Sequence, residues 1–343
     1  MAIANYQLPT KLTFYPSYLQ YAYAAGLMKG VDFQTQNETT EEDIYKLVVV
    51  DPSTTSKFEF SENDFIGFGL RYTKIWNFDF GMILGHDLLE SNMFLKPSMY
   101  NIEDNEIVFD QEIDTTTIVN WTGMGMVNYN GWSAFNVSNL PDDKRNIGLN
   151  CTNDGGTVNI GTYIIGKKWE APQNIDLQTS LSYNYGYKQK KSIGGKTLSQ
   201  MNYYKQSKWL LDAWELDDSE SDKRHRETES RNGLRTWTAT WSFLQDKYGM
   251  PQNSMQNSNG WSVDSGSEYS TGADGTSLYN SSEGIDFYTS VIKTTMGGHL
   301  PVVIRISESN NPDQWAIVRI KKYSISQKSP KFVDIKLTLE EQV

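Results

Sequence analysis

"LRTWTATWSFL", residues 234–244, decides the fold class. Trp237, Ala239, Trp241 and Phe243 recur at the two-residue period of a strand and share one face, while Arg235, Thr236, Thr238 and Thr240 supply polar or β-branched neighbours. A face of that size must be covered, so the stretch predicts a sheet packed against something else. "FVDIKLTLEE" at 332–341 alternates in the same way, with Val333, Ile335, Leu337 and Leu339 on one side and Asp334, Lys336, Thr338 and Glu340 on the other. It reads as a half-buried closing strand.

Around these two runs, clusters of Asn, Asp, Gly and Ser separate short aromatic and β-branched stretches. "NETTEED" at 37–43, "NLPDDKRN" at 139–146, "NDGG" at 153–156 and "SNNPDQ" at 309–314 are turn signals at the spacing of a β-sandwich. The chain is therefore expected to be mainly β. One helix is predicted over "SSEGIDFYTSVIKTTMGG", 281–298, where Ile285, Tyr288, Ile292 and Thr295 or Met296 fall on one side; Ser282 would cap it, and Gly297 and Gly298 would end it. "YPSYLQYAYAAG", 15–26, is a second candidate, with Tyr18, Tyr21 and Ala25 in helical register, although its tyrosines also suit a strand. Residues 216–233 are too polar to bury anything and read as an exposed loop, and 251–277 are dominated by Asn, Ser and Gly; loops of this length in a β protein are either disordered or held by a partner.

Bulk properties narrow the function. A chain of 343 residues exceeds one ordinary core, and 38% hydrophobic with 13% aromatic residues is ample to fold. Its 31 Lys and Arg against 42 Asp and Glu give a formal net charge of -11, which opposes binding along a duplex and suits a passage through which DNA slides without sticking. With Cys151 alone, no internal disulfide forms, which suits a reducing cytoplasm. The opening "MAIANYQLPT" lacks a signal pattern and "YLQYAYAAGLM" is too short to span a bilayer, so the expectation is a soluble chain with no membrane insertion.

Candidate chemistry is sparse. His86 sits beside Asp87 in "DFGMILGHDLLES", but neighbours in a strand point to opposite faces, so a strand-end histidine bonded locally is preferred to a base and its orienter. Three scattered histidines and one cysteine give no zinc spacing, and Asp154 and Asp274 are single acids beside glycine, short of a calcium loop. "GFG" at 67–69 and "GMG" at 123–125 read as strand glycines, not phosphate loops. The acids of 103–114 (Glu103, Asp104, Glu106, Asp110, Glu112 and Asp114) would suit a glycosidase only if two faced each other across a groove; solvated turns account for them. Trp121, Tyr129 and Trp132 offer a stacking platform for a glycan, with core packing as the default.

"FIGFGLRYTKIWNFDFGMILGHDLLESNMFLKP" resembles a segment of phage virion proteins whose jelly-roll sandwich is similar to discoidin- and galectin-like modules, and "NIGTYIIGKKWEAPQNIDL", 159–177, is similar to the closing segment of such modules. In that reading His86 is a turn residue. "SYNYGYKQKKSIGGKTLS", "RTWTATWSFLQD", "FYTSVIKTTMGGHLPVVIRI", "NPDQWAIVRIKKYSI" and "VDIKLTLEE" resemble tail-tube and distal-tail proteins, in which a β-sandwich is flanked by one helix. The resemblance covers residues 56–343, with the order of the two modules reversed relative to distal-tail proteins. It implies an N-terminal segment (1–55) packing on the sandwiches, a jelly-roll-like β-sandwich (56–175) and a tail-tube-like sandwich (176–343) with a helix near 285–296.

Its functional implication is a non-enzymatic structural protein of a bacteriophage virion, assembled in the host cytoplasm, in the tail or beside it. Its partners would be copies of itself in a ring, other tail proteins, and DNA passing without specific binding; no cofactor is implied. Arg224, Arg226, Arg231, Asn253 and Trp261, in the two long loops, are the candidates for contacts between subunits. The alternative is a module that binds host-surface glycans through Trp121, Tyr129 and Trp132.

Overall fold

The structure, a computed structural model, describes residues 9–35, 39–51, 54–70, 78–88, 95–103, 106–112, 114–120, 131–138, 146–151, 155–184, 186–201, 234–249, 286–307, 315–329 and 331–342. In chain order the first elements are β1 (Thr13–Tyr15), α1 (Tyr18–Ala24), β2 (Met28–Gln34), α2 (Glu41–Lys46), β3 (Ser56–Ser61), β4 (Phe65–Leu70) and β5 (Phe80–His86). There follow β6 (Leu95–Glu103), β7 (Glu106–Glu112), β8 (Asp114–Asn120), β9 (Gly131–Ser138), β10 (Asn146–Cys151), β11 (Gly155–Ile160), β12 (Thr162–Gly166) and β13 (Trp169–Glu170). The remainder comprises β14 (Ser180–Asn184), β15 (Tyr187–Lys191), β16 (Thr197–Met201), β17 (Leu234–Gln245), α3 (Asp246–Gly249), a π-helical segment (Tyr288–Lys293), β18 (Val302–Arg305), β19 (Trp315–Ser329) and β20 (Phe332–Glu341). The chain is mainly β, in antiparallel sheets of the β-sandwich class.

Alternation of side chains along the strands arranges these sheets as layers. A four-stranded sheet, β12-β5-β9-β8, has apolar residues on both faces. Ile83, Phe135, Tyr163 and Ile165 pack with Val31, Ile66, Phe68, Ile147 and Leu149 of the five-stranded sheet β2-β4-β10-β6-β7; the β3–β11 pair, α1 and α2 close that core. Phe80, Met82, Leu84, Ala134 and Ile164 face the other way, onto Tyr15, Val303, Trp315 and Ile317 of the seven-stranded sheet β13-β1-β18-β19-β20-β17-β14. A third core covers the far face of that sheet, where Phe287, Val291 and Ile292 of the helical segment meet Trp237, Trp241, Ile304, Val318 and Leu337. The segment 1–55 thus supplies a strand to each of two sheets, β1 to the seven-stranded and β2 to the five-stranded.

Strand β17 alternates as expected as far as Trp241 and then departs. Trp241 pairs with Ile335 and Leu244 with Val333, so β17 carries one residue more than β20 over this interval, a β-bulge. Phe243 adopts φ 58° and turns outward, 67% exposed, and Leu244 takes the inward place at 1%. The extra residue is held by side chains: Asp334 accepts from the Phe243 amide (3.1 Å), and Asp176 accepts from the Ser242 amide (3.3 Å) and hydroxyl (2.6 Å). Arg235, expected among the polar neighbours, lies on the inward face beside Trp237 and is 1% exposed.

The C-terminal helix is a wide single segment, with Gly297 N donating to Ile292 O and Leu300 N to Thr295 O, five residues back in each case. Asp286 caps it through Thr289 N (2.7 Å), while Ser282 and Ile285 lie outside the described residues. Gly297 and Gly298 end it at φ 73° and 93°, as expected, and a Cβ on Gly298 would stand 2.3 Å from Ile320 O. Residues 18–24 form a helix started by Ser17, whose hydroxyl accepts from Gln20 N (3.2 Å); its buried side is Tyr18, Leu19, Gln20 and Ala22, with Ala25 exposed. Within "NETTEED", Thr40 and Asp43 form a capping box that opens α2, so part of that turn signal is a helix start.

Phe243 and Leu244 give a direct check on the bulge. Leu244→Ala costs about 2–5 kcal/mol, and Phe243→Ser stays within about 0.5 kcal/mol, measured by urea unfolding. The opposite order would return Phe243 to the inward face.

Candidate functional site

His86 ends β5 at a second irregularity. Register shifts between Leu84 and His86, with Gly85 at φ 65°, and the imidazole is fully buried. Leu88 N donates to Nδ1 (3.4 Å), so the ring proton sits on Nε2 and is donated to Ser133 Oγ of β9 (2.9 Å). Asp87 faces elsewhere: it accepts from the Asn159 amide (2.7 Å) and from the Asn159 side chain. Base and orienter do not meet, and the histidine is locally bonded at a strand end, as its position in the sequence suggested. It is a buried strand residue, not the turn residue that the family resemblance implied.

Burial pushes the His86 pKa down from 6.5 to about 4. Above pH 6.5 the imidazole is neutral folded or unfolded and does not affect stability. Between 6.5 and 4 only the unfolded chain takes up the proton, so stability falls as pH falls through that window. The expected loss is about 3 kcal/mol. Urea midpoints recorded across the window should show this slope in the native chain and a shallower one in His86→Gln.

Two other buried polar features hold structure. Asp79, just before β5, accepts from Lys168 N (2.7 Å), and burial raises its carboxyl and the neighbouring Tyr18 phenol above their ordinary values. Arg235 and Glu341 form a two-pronged pair, Nε to Oε2 at 3.0 Å and Nη2 to Oε1 at 2.6 Å, with side chains 1% and 0% exposed. The guanidinium also donates to Trp315 O (3.3 Å) and lies over the Trp237 ring (4.9 Å). A buried pair costs most when one partner alone is removed. Glu341→Gln is expected to cost about 3–5 kcal/mol in urea unfolding, and the joint change of Arg235→Met with Glu341→Leu much less.

Of the residues singled out from sequence, Trp132 lies in β9, paired with Leu84 of β5. Trp121, Tyr129, Arg224, Arg226, Arg231, Asn253 and Trp261 lie outside the described residues, as do Asp104, Asp154 and Asp274. The described acids of the stretch 103–114 lie in strands and divide between sheets: β6 and β7 pair in the five-stranded sheet, with Glu103 opposite Glu106, while Asp114 opens β8 of the four-stranded sheet opposite Ser138. Gly67 and Gly69 are strand glycines in β4. Among the described residues no three His, Cys, Asp or Glu side chains converge as a metal site requires, and no helix is long and apolar enough to cross a membrane.

Among the described residues the least covered element is the hairpin β15–β16. It is a two-stranded sheet of its own, and β15 is exposed at every residue. Its turn is closed by Ser192 N to Lys196 O (2.8 Å) and Gly195 N to Ser192 O (2.9 Å). Ile193 at the tip is 110% exposed, Tyr187 59% and Leu198 56%; Lys188, Lys190, Lys191 and Lys196 are exposed beside them. Lys190 pairs with Leu198 and Tyr187 with Met201, so polar and apolar residues share each face and neither face is a core. The signal in the sequence was a run of lysines without a carboxylate around a Gly-Gly turn. Comparison with protein-family models and with curated proteins finds no match to this chain.

Proposed function

We propose that this chain is a structural component of a phage virion, a tail or tail-adjacent protein that assembles with copies of itself into a ring and lets DNA pass without specific binding. The observation that carries the assembly is the hairpin β15–β16. A lone two-stranded hairpin is marginal in water. This one exposes Tyr187, Ile193 and Leu198; the fully exposed Ile193 gains about 1.5–3 kcal/mol when covered, and the half-exposed Tyr187 and Leu198 gain less. A second chain is the natural cover. The virion setting rests on the family resemblance of residues 56–343, and a net charge of -11 keeps a passing duplex from adhering.

Neither the His86–Ser133 contact nor the Arg235–Glu341 pair calls for catalysis, since each satisfies its own buried groups. Light scattering and negative-stain microscopy of the purified chain at rising concentration test this reading. Rings or stacked rings are expected. A monodisperse monomer throughout, or specific glycan binding by that monomer, would overturn it.

A further inference from the structure

Charge is segregated along this chain. Residues 180–201, which include the hairpin, hold four lysines and no carboxylate. Residues 32–114 hold eighteen Asp and Glu against five Lys and Arg. Within that stretch Glu41 and Glu42 are exposed in the first turn of α2, and Glu62 is exposed between β3 and β4. Strand β7, whose sequence is EIVFDQE, is an edge of the five-stranded sheet, with β6 as its one neighbour.

We infer that the basic hairpin β15–β16 of one copy docks on the acidic surface that carries Glu41, Glu42 and Glu62 in the next copy. This rests on the assembly reading above and assigns its contact. The two surfaces differ, so the interface is heterologous, and repeated head to tail it closes a ring if the rotation allows. Opposite charge brings the surfaces together and sets their orientation, and the apolar side chains supply the cover that charge alone does not. Those side chains favour protein over nucleic acid as the occupant. A phosphate backbone would take the lysines and leave Ile193, Leu198 and Tyr187 in water.

The test uses the full chain. Copies in natural and heavy nitrogen are mixed at low salt, and a carbodiimide joins lysines to carboxylates in direct contact. Links between light and heavy chains are expected from Lys188, Lys190, Lys191 and Lys196 to Glu41, Glu42 and Glu62. The fourfold variant Lys188→Glu, Lys190→Glu, Lys191→Glu and Lys196→Glu should weaken self-association by roughly tenfold or more. These side chains are exposed, so its thermal unfolding should match that of the parent. Assembly that persists in the variant, or light-heavy links that fall elsewhere, would overturn the inference and leave the assembly reading standing. Duplex binding that the variant loses, with assembly unchanged, would overturn it in favour of nucleic acid. A chain that stays monomeric at low salt fails both.

Discussion

Strand β5 is held between two apolar layers, and the rest of the molecule is arranged around that fact. Phe80, Met82 and Leu84 face the seven-stranded sheet and Ile83 faces the five-stranded one, so every residue of FGMILGH is buried. A strand covered on both sides loses its polar alternation and reads as a continuous apolar run. Gly81 shows how tight the middle layer is: a Cβ there would stand 2.4 Å from the Phe135 ring, so the position takes no side chain. Where β5 leaves the layer, the irregularity at Gly85 aims His86 back at Ser133. The histidine is thereby committed to closing the sheet end, and its depressed pKa follows from that burial.

A three-residue strand ties the layers to one another. In β1, Phe14 points into the core shared with Trp169 and Phe287, at ring distances of 6.0 and 5.7 Å. Tyr15 points the other way, between Phe80 of the middle sheet (5.1 Å) and Trp315 of β19 (5.0 Å). Adjacent residues of one short strand therefore serve two cores, as the alternation of a strand requires. The Arg235–Glu341 pair does comparable work between β17 and β20, with a further N–H of the guanidinium, from Nη2, on the Trp315 carbonyl of β19. One guanidinium thus registers β17 against the β19–β20 hairpin at that point.

Period and parity were legible in the sequence; exceptions to parity were not. Trp237, Ala239 and Trp241 are inward, and so are Val333, Ile335, Leu337 and Leu339, because a half-buried strand writes its burial directly into its residues. The bulge at 242–243 broke the pattern because nothing in "WSFLQ" marks an extra residue. It is held by Asp176 and Asp334, which come from other parts of the chain. Arg235 looked like a surface residue because its partner, Glu341, is 106 positions away. The helix was visible from Tyr288 and Ile292, while the bond from Thr289 N to Asp286 was not singled out in the sequence, where Ser282, outside the described residues, was the cap expected. His86 was placed at a strand end correctly, but Asp87 falls just beyond β5, and the contact with Ser133, 47 positions away, left no mark in the sequence.

The hairpin is harder to read than any strand, since what matters is the surface it lacks. Layers of sheets bury their own faces and leave edges, and an edge is safe only if it is charged, irregular or covered. Strands β14 and β7 are edges of their respective sheets, and the hairpin after β14 extends the basic side while β7 lies on the acidic one. A uniform charge would have made both edges repel every copy. In the docking inferred above, opposite signs on the hairpin and on the acidic surface would keep like elements apart and leave unlike ones attractive, which would restrain wrong pairings and admit a directed one.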